Sequence, residues 1–167
     1  MNLATRFSPI LVKQIQMSKL HTAIVTTESE GNLRLCGFGS GGRLGPAQHT
    51  QYSLKPLPSF NLPVARVALG QDHTLVLTTA GEVYSWGLNR FSQLGYVVEL
   101  STTLSGRNEE PIQSVPKRVV GILRREIVCG IAASKIASAC WTKETVFTWG
   151  TNTGQLGSVW TLTYHQI

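Results

Sequence analysis

The chain has 167 residues with a formal net charge of +6, 16 Gly, 7 Pro and only 14% charged side chains, where about 25% is usual for a soluble domain. Its 42% hydrophobic content is too high for a disordered chain, and no run approaches the roughly 20 apolar residues of a spanning helix. Asp72 is the only aspartate, which excludes an aspartyl dyad and a calcium loop of alternating Asp and Asn.

Residues 1–9 read as an N-terminal extension. Arg6, Lys13 and Lys19, with no acid among them, faintly resemble a mitochondrial presequence, but Pro9 interrupts an amphipathic helix. Cytoplasmic or nuclear placement is therefore expected ahead of mitochondrial. Three in-register units follow, at about 10–45, 46–95 and 96–157. The first holds SKLHTAIVTT (18–27), Gly31 and CGFGSGGRLG (36–45). A variable stretch, Gln48–Pro63, carries a candidate strand at Lys55–Phe60, and Ala65–Leu69 is a second. GQDHTLVLTT (70–79) then supplies a β-branched run of strand length, Ala80–Gly81 a turn, and Val83–Trp86 an alternating strand that leads into GLNRFSQLG (87–95). The longest insertion is Tyr96–Pro116, with Arg107, Asn108, Glu109 and Glu110. Candidate strands at Lys117–Ile122 and Ile127–Cys129 precede the third unit, SKIASACWT (134–142) and TWGTNTGQLG (148–157). Residues 158–167 start no further unit and read as a non-family tail. Four short strands per ~50 residues is the signature of a propeller blade. The expectation is an all-β, partial (open) β-propeller of about three four-stranded blades.

The second unit matches a known pattern almost throughout: Gly70, His73, Thr74, Leu75, Leu77, Thr78, Gly81, Val83, Tyr84, Trp86, Gly87, Asn89, Gln93, Leu94 and Gly95. It resembles the regulator of chromosome condensation repeat, and the resemblance covers residues 10–157. Within that family, CGFGSGGRLG, GLNRFSQLG and WTKETVFTWGTNTGQLG look like the propeller of inhibitor of Bruton tyrosine kinase-like BTB/ankyrin proteins. Those proteins act as cullin-type ubiquitin-ligase adaptors; no BTB or ankyrin segment stands in these residues, so that activity is not carried over. Such propellers close a ring of about seven blades, so three units imply terminal blades with exposed apolar side chains such as Val146, Phe147 and Trp149. The units also depart from one another. Ser18 and Ser134 replace Gly70, Cys36 replaces Trp86, Gly39 replaces Asn89, and Ala137 replaces His73.

GFGSGG (Gly37–Gly42) fits the dinucleotide fingerprint, but Arg43-Leu44-Gly45-Pro46 follows in place of a helix, so it reads as a blade loop. His21 and His73 occupy equivalent positions. A catalytic residue need occur only once, so both read as structural, with a ring nitrogen bonded to nearby backbone. Trp86, Trp149, Tyr84 and Phe147 read as packing between blades rather than as a platform for bases. Gly37, Gly45, Gly70, Gly81, Gly87, Gly95, Gly150 and Gly157 complete the repeat-structural set. Lys117, Arg118, Arg124 and Arg125 are either an anion-binding stripe or a solvated strand edge. Cys36, Cys129 and Cys140 form no CxxC pair, so zinc spacing is absent and free thiols of a reducing compartment are expected. No catalytic, metal or cofactor residue is assigned.

Three functions are compatible with these residues. A non-enzymatic protein-interaction module, as in an adaptor-like protein, comes first, with the Tyr96–Pro116 insertion as partner surface. The resemblance implies guanine-nucleotide exchange on a small GTPase as the alternative. Chromatin or nucleic-acid binding through the basic block is the third.

Overall fold

The computed structural model describes residues 11–46, 49–99 and 110–157. Eleven strands among them form three antiparallel meanders. The first sheet is β1 (Val12–Met17), β2 (His21–Thr26), β3 (Leu33–Gly37) and β4 (Gln51–Pro56). The second is β5 (Val64–Leu69), β6 (His73–Thr78), β7 (Val83–Leu88) and β8 (Ile112–Arg118). The third is β9 (Gly130–Ala133), β10 (Ala137–Trp141) and β11 (Val146–Gly150). Strands β1 and β5 touch, and so do β5 and β9, so the first strands of the sheets stand side by side. This is an all-β, open arc of a propeller.

The stacking explains the composition. Every residue of β6, HTLVLT, is buried, because this strand is covered on both faces. Val76 and Trp86 join Ala23, Val25, Leu33, Leu35 and Leu44 in a core between the first two sheets. Leu75, Leu77 and Val83 meet Ile131, Cys140 and Trp149 in a second core. Few positions are left for charged side chains.

The structure shifts several predicted strands. β9 begins at Gly130 rather than at Ile127, because the Val128 N–H bonds the Gly81 carbonyl (3.0 Å) and so ties that segment to the turn of the second sheet. β4 ends at Pro56, since Leu57 and Phe60 turn into the first core, where the Phe60 ring stands edge-on to Tyr84 at 5.0 Å. β8 starts inside the predicted insertion and ends at Arg118; a 3-10 turn at Gly121–Leu123 then buries Leu123. Pro116 is tolerated there because β8 is an edge strand. The third sheet has three strands among the described residues, not four. Phe147 and Trp149 face the second core, so only Val146 of the three predicted terminal side chains is exposed. Arg107, Asn108, Glu109 and the tail at 158–167 lie outside the described residues.

Three repeat glycines are required by close approach. Gly37 and Gly150 end their third strands and Gly87 stands one residue before the end of β7, with φ of 122°, 106° and 118°. They pair with His21, Ala137 and His73, and a Cβ on any of them would collide with the carbonyl of the residue preceding that partner. Gly87→Ala should therefore cost about 2 kcal/mol. Gly31→Ala, at φ 58° with open space around it, should cost only about 1 kcal/mol of backbone strain. Urea titrations of the two variants test the difference; equal losses would show that contact with the Asp72 carbonyl does not matter.

Candidate functional site

The side chains with the richest chemistry converge between sheets. His21 Nε2 lies 2.9 Å from Thr74 Oγ1 on the second sheet, and that hydroxyl donates to the Arg43 carbonyl at 2.9 Å. The Trp86 indole N–H donates to the same carbonyl at 3.0 Å. The arrangement recurs one sheet on. His73 Nε2 lies 2.9 Å from Ser138 Oγ, which donates to the Gln93 carbonyl at 2.7 Å, and Trp149 Nε1 donates to that carbonyl at 2.9 Å. The tautomer follows from the hydroxyls. Each has given its one proton to a carbonyl, so it accepts from the imidazole, and Nε2 carries the hydrogen. Ser18 Oγ supplies the donor to His21 Nδ1 at 2.8 Å. At Gly70 no side chain does the same, and His73 Nδ1 is buried without a partner.

Both histidines bond hydroxyls of the next sheet and not the nearby backbone expected from the sequence. Burial pushes the His21 imidazole down to about 3, helped by the Arg43 guanidinium and by His73, and opposed by Asp72. His73 is pushed down to about 4 by burial, with Asp72 opposing. Both rings are neutral at pH 7.

Arg43 is buried and bound on three sides. It donates to the Phe38 carbonyl at 2.9 Å, pairs with Asp72 at 2.5 Å, and its guanidinium lies 5.3 Å from the Phe38 ring centroid. The only aspartate thus ties the first sheet's loop to the second sheet. The GFGSGG loop forms a 3-10 turn at Ser40–Gly42, where the dinucleotide fingerprint needs a helix. Two side-chain amides copy strand pairing between sheets. Gln14 bonds the Val67 carbonyl and N–H at 3.0 and 2.9 Å, and Asn32 bonds those of Val64 at 2.9 and 3.0 Å. None of Arg43, Asp72, Gln14, Asn32, Thr74 or Ser138 stood out as a site residue in the sequence. The legible signal was the hydroxyl that follows the histidine position in every unit: Thr22, Thr74 and Ser138.

The basic block is divided. Lys117 and Arg118 alternate across β8, so Lys117 lies 4.9 Å from the Tyr96 ring centroid while Arg118 pairs with Glu82 at 3.0 Å on the opposite face. Arg124 and Arg125 are exposed beyond the 3-10 turn. Cys36, Cys129 and Cys140 are free thiols, and burial pushes Cys140 up to about 12. Among the described residues no group of three or more His, Cys, Asp or Glu could hold a metal ion, and no helix is long and apolar enough to cross a membrane.

The regulator of chromosome condensation (RCC1) repeat matches residues 64–93 and again residues 80–140. The chain carries repeats of this family. BTB/POZ domain-containing protein 1 of Schizosaccharomyces pombe is 36% identical over 151 residues, covering 90% of this chain and 11% of that protein. The human Inhibitor of Bruton tyrosine kinase is 36% identical over 156 residues, 90% of this chain and 10% of that one. The bovine Secretion-regulating guanine nucleotide exchange factor is 34% identical over 149 residues, 87% of this chain and 29% of that one. The chain thus spans about a tenth of the first two relatives and under a third of the last. Among solved structures, Prp20p from Saccharomyces cerevisiae superposes with a TM-score of 0.68 at 24% identity, over 89% of this chain and 33% of that one, a likeness of fold.

Proposed function

We propose that this arc of RCC1 repeats is a protein-interaction module that binds its partner through the loops following β3 and β7. One observation carries the reading. The groups best suited to proton transfer and anion chemistry, His21, His73, Arg43 and Asp72, are engaged in ties between sheets. Large apolar side chains instead stand out on the loops and their flanks: Phe38 at 48% exposure, Phe91 at 43% and Val97 at 59%. Both loops leave a third strand just after its repeat glycine, so they open at the same end of the arc. Beside them Arg90 pairs with Glu110, a polar rim of the kind that surrounds apolar anchors at interfaces. In a longer BTB-type protein this face would serve as the recruiting surface of a ubiquitin-ligase adaptor.

A photo-crosslinking residue at Phe91, and in a second variant at Phe38, tests this in cell extract. Tyr52 on β4, at 95% exposure, serves as the control position. Discrete adducts from position 91 and none from position 52 are expected; no adducts from positions 38 and 91 would end the reading. The second reading is nucleotide exchange on a small GTPase, favoured by the likeness to the bovine exchange factor. Accelerated release of fluorescent GDP from a nuclear GTPase in the presence of the chain would put it first. Nucleic-acid binding has weaker support, because Arg118 is already neutralised by Glu82 and Lys117 points to the other face.

A further inference from the structure

The end of the loop after β7 is held by a tyrosine that the first unit lacks. Leu94-Gly95-Tyr96 matches Leu44-Gly45-Pro46. Tyr96 Oη donates to the Ser85 carbonyl at 2.7 Å, and the Lys117 ammonium lies 4.9 Å from the ring centroid. The half-buried ring packs against the second core, and Asn89 Nδ2 donates to the Tyr96 carbonyl at 2.8 Å. Three groups thus define a seat for a phenol: an acceptor on β7, a cation on β8 and an apolar wall.

The first sheet builds the same seat without a ring of its own. Leu35 pairs with Lys55 as Ser85 pairs with Lys117, and in both ladders the register shifts at the next step. The Leu57 N–H reaches the Leu33 carbonyl as the Val119 N–H reaches that of Val83, at 3.3 and 2.8 Å. Pro46 brings no phenol, however, and Gly39 stands in place of Asn89. Leu35, Leu44, Pro46, Gln51, Lys55 and Leu57 line a cavity of about 420 Å³ here, within the roughly 300–1,000 Å³ of small-ligand pockets. Tyr52, next to Gln51, does not line it. Among the described residues Lys55 has no ion-pair partner.

We infer that this cavity binds an unphosphorylated tyrosine side chain of a protein partner, its hydroxyl donated to the Leu35 carbonyl and its ring face under Lys55. The chain's own Tyr96, seated on the matching groups one sheet on, argues for this occupant. The acceptor decides the chemistry. A carbonyl takes a hydrogen bond from a phenol, whereas phenylalanine offers none and phosphotyrosine brings only acceptor oxygens and a charge of about −1.5 to −2. The inference rests on the protein-interaction reading for the source of the ring. Its test is read at Leu35, Leu44, Lys55 and Leu57, which the crosslinks from Phe38 and Phe91 do not report.

The test uses the full chain, isotope-labelled for amide NMR. The probe is a capped pentapeptide with one tyrosine between pairs of glycines. Saturable shifts are expected at Leu35, Leu44, Lys55 and Leu57. The same peptide with phenylalanine should bind about fivefold more weakly, and with phosphotyrosine at least about tenfold more weakly. Lys55→Met keeps the aliphatic stem and should weaken the tyrosine peptide about threefold. Pro46→Tyr supplies a ring at the position that Tyr96 holds one unit on, so it should abolish peptide binding, whereas Pro46→Ala should keep it. Free p-cresol should bind no more tightly than the peptide. The proposal fails if no saturable shifts appear at these residues at millimolar peptide, or if the phenylalanine peptide binds equally well. Tighter binding of the phosphotyrosine peptide would make the cavity an anion site, and binding of p-cresol alone would make it a site for a free phenol; either result overturns the proposal. Peptide binding that survives Pro46→Tyr would overturn it too. Crosslinks from Phe38 and Phe91 without peptide shifts would end this inference alone, and peptide shifts without those crosslinks would end the loop reading alone.

Discussion

Lowering the pH from 7 to 5 should destabilise the folded chain by about 4 kcal/mol, about 2 kcal/mol from each of His21 and His73. The sign follows from the direction of the shifts. Burial holds the folded imidazoles down at about 3 and about 4, whereas the unfolded ones titrate near 6.5. Above pH 6.5 neither state takes up a proton and stability is fully present. Below it only the unfolded chain binds protons, so stability falls until the pH reaches the folded values. The geometry gives the cause. Each Nε2–H is already donated to a hydroxyl, and protonation would add an Nδ1–H facing Ser18 for His21 and no partner for His73. Arg43 adds repulsion at His21, while Asp72 opposes the downward shift at both rings. Urea midpoints followed by circular dichroism between pH 7.5 and 5 measure the slope. His73→Gln should reduce it by about half. A flat profile would mean that the rings charge without opening the contacts between sheets.

Trp86→Ala should cost about 3 to 5 kcal/mol, a large share of the ~5–15 kcal/mol that holds a domain of this size. Trp86 is fully buried at the centre of the first core, close to Phe60, and its indole N–H ends on the Arg43 carbonyl. Truncation removes apolar contact with both sheets and takes one of two donors from that carbonyl. Trp86→Phe separates these contributions. It keeps most of the ring and leaves Thr74 on the carbonyl, so a loss of about 1 to 2 kcal/mol is expected. Should the two variants lose equal stability, the hydrogen bond and not the packing would be the main tie.

Much of the fold was legible because its signals repeat. The His-Thr pair, the Trp-Gly pair and the terminal Leu-Gly recur in register, and each maps to one structural position. Strand limits were less legible where a segment's local character and its tertiary partner disagree. Ile127–Cys129 has β-branched residues suited to a strand, yet Val128 bonds the turn at Gly81 in the neighbouring sheet. The recurrence of the histidines marked them as part of the repeat, but a single unit cannot show that a ring reaches across to the next sheet. The persistent hydroxyl was the missed cue. Ser138 remains although its own unit has Ala137, because its partners, His73 and the Gln93 carbonyl, both lie in the preceding sheet and its loop. Arg43 and Asp72, 29 positions apart, had no pattern to announce them.

The phase between sequence units and sheets has a consequence for cleavage. β4 lies beyond the loop that ends the first unit, yet it pairs with β3, and β8 likewise lies past Gly95 and pairs with β7. A protease cutting near His49 would therefore not release the first unit. The piece ending there would remain paired along β3 with the β4 of the other piece. It would also stay joined through His21, Asn32 and Gln14 to the second sheet. The covalent link between units and the contacts that hold them together lie in different places, so a nicked chain would migrate as one particle until denatured.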